Sequence, residues 1–205
     1  MSEVKKTEDF VLMLMNMRVA FPNFWVATKM KPTDKAAFSG SFIMPLEHPQ
    51  IPEIRAAITA VAVAKWGDQA NEILKVLIAG DKVCLHNGDL KAQYDGFAGN
   101  LYVSARGYSR PLILGQDKAR LDEADGKPYS GCYVNARVAL WAQSNSWGKR
   151  INAQLGGVQF LRDGEAFGGG SVAQPDEFET VAGGDADGEA PVIDTGVWDD
   201  LVGPQ

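Results

Sequence analysis

GCYVNARVALWAQ, Gly131–Gln143, sorts its side chains into two sets at a period of two, and that sorting decides the fold. Cys132, Val134, Ala136, Val138 and Leu140 form an unbroken apolar face, which marks a strand packed on a core. Tyr133, Asn135, Arg137, Ala139 and Trp141 form the other face. A solvated strand face usually carries Lys, Glu, Thr and Ser, whereas here two large rings flank an amide and a guanidinium.

Reading outward, the same period marks strands at FVLMLMNMRVAFPNFW (Phe10–Trp25), with Pro22 expected to end it, and at AAFSGSFIMP (Ala36–Pro45), where Gly40 suggests a bulge or sharp bend. PEIRAAITAVAVAKWG (Pro52–Gly67) changes to a spacing of three and four, opens on Pro and closes on Gly, and predicts a helix. A second helix is expected from about Gln69 to Ala79. Period two returns at Phe97–Gly107, Pro111–Gly115, Gly131–Gln143 and Gly156–Leu161, separated by Gly, Pro, Asn and Asp turns. The pattern predicts a mainly β fold: an OB-like barrel of five or six strands with a helical insertion at about residues 52–79.

The charge is unevenly distributed. All 20 Lys and Arg lie at or before Arg162, and residues 1–173 carry 17 acids, a net of +3. Residues 174–205 carry nine acids and no base, a net of −9. After Phe167 the chain turns rich in Gly and acid, too poor in large apolar groups to offset chain ordering. A folded domain over 1–168 and a flexible acidic tail over 169–205 are therefore expected. No apolar run reaches the roughly 18 residues of a membrane span, and the start is polar, so a cytoplasmic location is expected.

The second face of Gly131–Gln143 suits unpaired nucleobases, each of which offers a π face worth roughly 1–3 kcal/mol on an aromatic ring beside a phosphate that attracts a cation. The earlier strand repeats the logic with Tyr102, Ser104 and Arg106 on one face and Tyr108 and Arg110 just beyond. SNSWGKRINAQ reads as a flexible loop that adds Trp147, Lys149 and Arg150, and Lys29, Lys31 and Lys35 stand between the first two strands. The competing structural reading packs Tyr133 and Trp141 under the helical insertion and pairs Arg137 with a carboxylate. In the tail, Val197, Trp198, Leu201 and Val202 among Asp194, Asp199 and Asp200 resemble a docking peptide, which an acidic segment achieves by occupying a cationic groove in place of phosphate. Trp198, Asp199, Asp200 and Leu201 are its expected partner contacts.

Other classes are weaker. Cys132 with His86 or His48 would make a thiol enzyme, but Cys132 falls on the all-apolar face. Two histidines without thiolate or carboxylate spacing offer no zinc site, and no cofactor motif is present. A protein-binding barrel remains the alternative, since Tyr, Trp and Arg also dominate protein contacts.

The block KPYSGCYVNARVALWAQSNSWGKRINAQLGGVQFLRDGEAFGG, with the early Arg-x-x-x-Pro-Asn at Arg18–Asn23 and Arg-Pro-Leu at Arg110–Leu112, resembles a family of tailed-phage single-stranded-DNA-binding proteins. The likeness spans most of residues 10–168. It implies an OB fold, DNA bound across the barrel, and a role in replication or recombination with partner proteins in an infected bacterium. By motif it carries DNA contact onto Tyr129, Tyr133, Arg137, Trp141 and Lys149. The acidic tail is similar to that of other replication single-strand binders, although here Trp198 stands seven residues before the Gly-Pro-Gln end.

Overall fold

The computed structural model describes residues 10–168. The expected tail over 169–205, with Trp198, Asp199, Asp200 and Leu201, lies outside the described residues.

The chain forms β1 (Val11–Thr28), β2 (Ala37–Pro45), α1 (Ile51–Trp66), α2 (Ala70–Ala79), β3 (Leu85–Asn87), β4 (Asn100–Gly107), β5 (Leu112–Leu114), β6 (Tyr133–Asn145) and β7 (Gly148–Arg162). Strands pair in the order β4–β2–β1–β6–β7, and a parallel contact at Ala105 and Ala153 brings β4 back to β7. That closes a five-stranded barrel with OB connectivity, while β3 extends β4 and β5 runs along β7. The expected barrel with a helical insertion is what folds.

The inward positions carry the core. Leu14, Met17, Val19, Phe24, Phe42, Met44, Val103, Val134, Leu140 and Ile151 are all essentially buried, drawn from every wall. The apolar set of Gly131–Gln143 lies inside: Cys132, Val134, Ala136 and Val138 have no exposure. Gln50 precedes α1, Pro52 occupies its first turn, and Gly67 caps it by donating its N–H to Val63. The spacing of Ile51, Ile54, Ile58, Val61 and Ala62 turns one face of α1 to the barrel core. Burial of this kind contributes about 1.5–3 kcal/mol for each large side chain.

β1 departs from the expected strand. Pro22 does not end it: pairing with β2 resumes at Asn23 after a register shift between Ala20 and Asn23. The shift leaves Phe21 and Pro22 opposite Gly40, so proline's missing N–H falls where the ladder is already interrupted. The bulge is thus on β1 and not at Gly40, whose lack of a side chain instead admits the Phe24 ring; an added Cβ would stand 2.8 Å from Phe24 Cε1. A second shift, between Leu14 and Met17, bends the strand between β6 and β2. Asn135 braces it by accepting from the Asn16 N–H at 2.9 Å and donating to Gln159 at 3.3 Å. The amide expected on the open face is therefore buried in a structural network.

SNSWGKRINAQ is likewise not a flexible loop. β6 and β7 pair from Asn145 and Gly148 onward, which reduces the connection to Ser146 and Trp147 at the tip of a long hairpin. Asn, Ser and Gly near the tip read as loop signals, but hydrogen bonding to β6 makes strand of everything after Trp147.

Candidate nucleic-acid interface

The register of β1, β2 and β4 lines up three rows on the outer wall of the barrel. Asn23, Ser39 and Arg106 form one, Ala20, Ser41 and Ser104 the next, and Arg18, Ile43 and Tyr102 the third. No position in this grid is acidic. Ala20, Ser41, Ile43 and Tyr102 are buried, with Phe97 and Phe167 packed in the same cluster, so the open ground lies at Ser104 and the Asn23–Ser39–Arg106 row.

Rings rise at both ends. At one end the β1 bulge holds Phe21 at a positive φ of 51° and turns it outward, where it meets Tyr94 edge-on at 5.1 Å and stacks on Phe97 at 5.8 Å. Phe21 and Tyr94 are close to half exposed. Lys91 stands among Phe97, Tyr102 and Phe21, its ammonium 4.7 Å from the Tyr102 centroid. Burial among these rings lowers the Lys91 pKa, partly countered by the charge of Asp81. At the other end Arg106 donates to the Lys35 carbonyl at 2.7 Å, and the Lys35 ammonium sits 4.8 Å from the centre of the exposed Tyr108 ring. Arg110 then lies 5.1 Å over Trp25. Lys29 and Lys31 follow in the β1–β2 connection, with the Lys31 N–H held by Asp34.

The structure distributes the expected contact residues among several surroundings. Arg106, Tyr108 and Arg110 gather at one end of the grid with Lys35. Tyr102 does share an outer face with Arg106, but it is only 3% exposed, with His86 stacked on it at 4.8 Å and Phe97 edge-on at 4.9 Å. Burial pushes its hydroxyl up to about 12. The segment between β3 and β4 covers this ring, and no sequence periodicity signals that cover.

Tyr129 is also structural. Its hydroxyl donates towards Asp163 and the Gly164 carbonyl and accepts from the Gly164 N–H, all near 3.0 Å. Tyr133 is half-buried beneath Arg162, whose guanidinium lies 3.3 Å from its ring centre. Arg18 adds donations to the Gly131 and Glu165 carbonyls and lies 4.2 Å over Phe167. These contacts strap residues 163–168 across the barrel.

Arg137, Trp141 and Arg150 occupy a different wall, formed by β6 and β7. Trp147 is almost fully exposed at the hairpin tip. Lys149 alternates away from Arg150, towards the helical insertion, where its ammonium is 6.0 Å from the Trp66 ring. Neither Tyr133 nor Trp141 packs under the helices, and Arg137 has no carboxylate partner among the described residues.

Phe21, Tyr94 and Trp25 border the grid on β1, β2 and β4 and were not among the residues expected from the sequence. Phe21 stood beside a proline read as a strand end, and Tyr94 lies in a segment without a repeating pattern.

The two thiols show the opposite of nucleophilic tuning. Burial pushes Cys84 up to about 12 and Cys132 up to about 11, from a usual 9.0. Since the unfolded chain loses these protons first, their contribution to stability is complete below pH 9 and lost as pH rises towards 11–12. Urea melts should therefore weaken above pH 9, and a thiol reagent should label neither cysteine until the chain unfolds. Labelling of the native chain would contradict this. Among the described residues no cluster of His, Cys, Asp and Glu is arranged to hold a metal, and no helix is long and apolar enough to cross a membrane.

Comparison with known proteins shows the family and the fold. The family described as Enterobacter phage Enc34, ssDNA-binding protein, matches residues 11–190. The chain belongs to this family. A relative, putative protein p50 of Acyrthosiphon pisum secondary endosymbiont phage 1, is 42% identical over 172 residues, covering 82% of this chain and 92% of that one. The single-stranded DNA-binding protein of bacteriophage Enc34 in complex with ssDNA superposes with a TM-score of 0.68 at 24% identity, over 78% of this chain and 91% of that one. Gp2.5, a single-stranded DNA-binding protein encoded by bacteriophage T7, shares the fold at 13% identity, with a TM-score of 0.54 over 84% of this chain and 96% of that one.

Proposed function

We propose that this chain binds single-stranded DNA during phage replication, with little base preference, by laying bases and phosphates along the outer wall of β1, β2 and β4. Family membership supports the ligand, and one relative's structure is described as a complex with ssDNA. The observation that carries the site is the acid-free grid bounded by Phe21 and Tyr94 at one end and by Tyr108, Lys35 and Arg110 at the other. Exposed rings accept any base, and the β1–β2 connection with Lys29 and Lys31 flanks the wall in the manner of OB-fold nucleic-acid binders. A duplex hides its base faces and gains nothing from the rings.

The acidic segment 169–205 competes with DNA for this wall, and Trp198, Asp199, Asp200 and Leu201 engage replication or recombination proteins when DNA displaces it. The charge contrast between +3 and −9 supports this regulation. Fluorescence anisotropy with an oligothymidylate, titrated with salt, tests body and tail together. Affinity should fall as salt rises, with a slope of about −0.7 per phosphate neutralised. A chain ending at residue 173 should bind more tightly at low salt, and the two curves should converge as salt screens the tail. Equal affinity for duplex and single strand would sink the stacking argument, and unchanged affinity after truncation would remove the tail's role.

A further inference from the structure

The first wall is short. Its three rows span about 14 Å along the strands, room for no more than about four nucleotides even at the roughly 3.4 Å rise of stacked bases. OB folds engage about 4–16 nucleotides, so the first wall alone accounts for only the low end of that range.

A second wall is built with the same economy on β1's first half, β6, β7 and β5. The register aligns Met13, Arg137, Gly157 and Leu112 in one row and Val11, Ala139 and Gln154 in the next. Trp141 stands opposite Asn152, and Gln143 opposite Arg150. None of these positions is acidic. Neither Arg137 nor Arg150 has a carboxylate partner among the described residues. The Arg137 Nη1 stands over Gly156, where an added Cβ would be 2.9 Å from it, so the wall stays low beside the charge. Met13, Trp141 and Leu112 remain 37–47% exposed.

The walls are joined by a cleft of about 590 Å³ lined by Trp25, Arg110, Leu112, Arg120 and Asp122 among others. Arg110 belongs to the end of the first wall, and Leu112 belongs to the Arg137 row. The carboxylate of Asp122 is engaged as a cap, accepting the Ala124 N–H at 2.9 Å.

We propose that bound DNA, once longer than the first wall, turns through the Trp25–Arg110–Arg120 cleft onto the second wall, where Trp141 stacks a base and Arg137 and Arg150 meet phosphates. The path rests on the DNA-binding reading of the first wall. A second copy of the chain is a poorer occupant: two-fold pairing of this face would set its guanidiniums against each other with no acid to neutralise them. A polyanion neutralises them, and exposed methionine offers bases a soft, adaptable floor.

The test uses the full chain with Arg137→Gln/Arg150→Gln and, separately, Trp141→Ala, each checked for an unchanged thermal melt. Anisotropy is read with oligothymidylates of about 4 and about 16 nucleotides. On the long oligonucleotide the double variant should bind about tenfold more weakly, with a salt slope shallower by about 1.4. Both variants should bind the short one as the unaltered chain does. Trp141→Ala should weaken the long complex alone and reduce quenching of tryptophan fluorescence by DNA. Equal loss on both lengths, or no loss on the long one, overturns the path. If the unaltered chain fails to prefer single strand at either length, the first-wall reading falls instead. A concentration-dependent change in sedimentation of the DNA-free unaltered chain that Trp141→Ala abolishes would assign this wall to contacts between copies and also overturn the path.

Discussion

Tyr108→Ala is expected to lower affinity for an oligothymidylate by roughly five- to 150-fold, the equivalent of the 1–3 kcal/mol that a base gains on an aromatic ring. The ring is 63% exposed, and its described contact is the Lys35 ammonium, so its removal should leave the melting temperature unchanged. Tyr102→Phe makes the contrast. Tyr102 is buried among His86, Phe97 and Lys91, and losing its hydroxyl should not alter DNA affinity. Equal affinities for Tyr108→Ala and the unaltered chain would remove Tyr108 from the interface. A fall in melting temperature would show that the ring supports the fold.

The largest effect on stability is expected from Gly131→Ala. Gly131 has a φ of 102°, in the region that disfavours side chains, and a Cβ there would lie 2.1 Å from the Glu165 carbonyl oxygen and 2.9 Å from the Ala166 Cα. Both are backbone atoms, so no rotamer change relieves the clash and residues 163–168 must lift from the barrel. Arg18 would then lose its acceptor at Glu165 and its contact with Phe167. Backbone strain of about 1–3 kcal/mol plus the lost strap should total about 3 kcal/mol or more. For a chain of this size that lowers the melting temperature by roughly 6–12 °C, measurable by calorimetry. A loss under about 1 kcal/mol would show that the strap adds little to stability.

The barrel was legible in the sequence because a period of two over Gly131–Gln143 leaves only one way to bury Val134, Val138 and Leu140. α1 was equally legible, since Pro52, Gly67 and the isoleucine spacing agree with one another. Interruptions were harder to read. Pro22 signals a strand end locally, yet pairing with β2 resumes at Asn23. In the site, alternation placed Tyr102 and Arg106 on one face correctly, but exposure depends on what crosses above that face. Phe97 is distant from Ile43 in sequence and covers it in space, a relation that side-chain periodicity does not encode. The expected single aromatic face therefore became two walls, because β4 and β6 are separated around the barrel by β7 on one side and by β2 and β1 on the other.

The clamp at Phe167 also sets a leash. The Phe167 N–H bonds to the Ser130 carbonyl at 3.0 Å, and the Gly168 N–H bonds to Asp95 at 2.9 Å, one residue from the exposed Tyr94 ring. The described chain thus ends beside the Phe21–Tyr94 end of the first wall. For the tail competition proposed above, attachment at this point matters, because tethering can raise effective concentration to the millimolar range and weak attraction then suffices. Moving that anchorage, with the tail's composition unaltered, should retune how readily DNA gains entry.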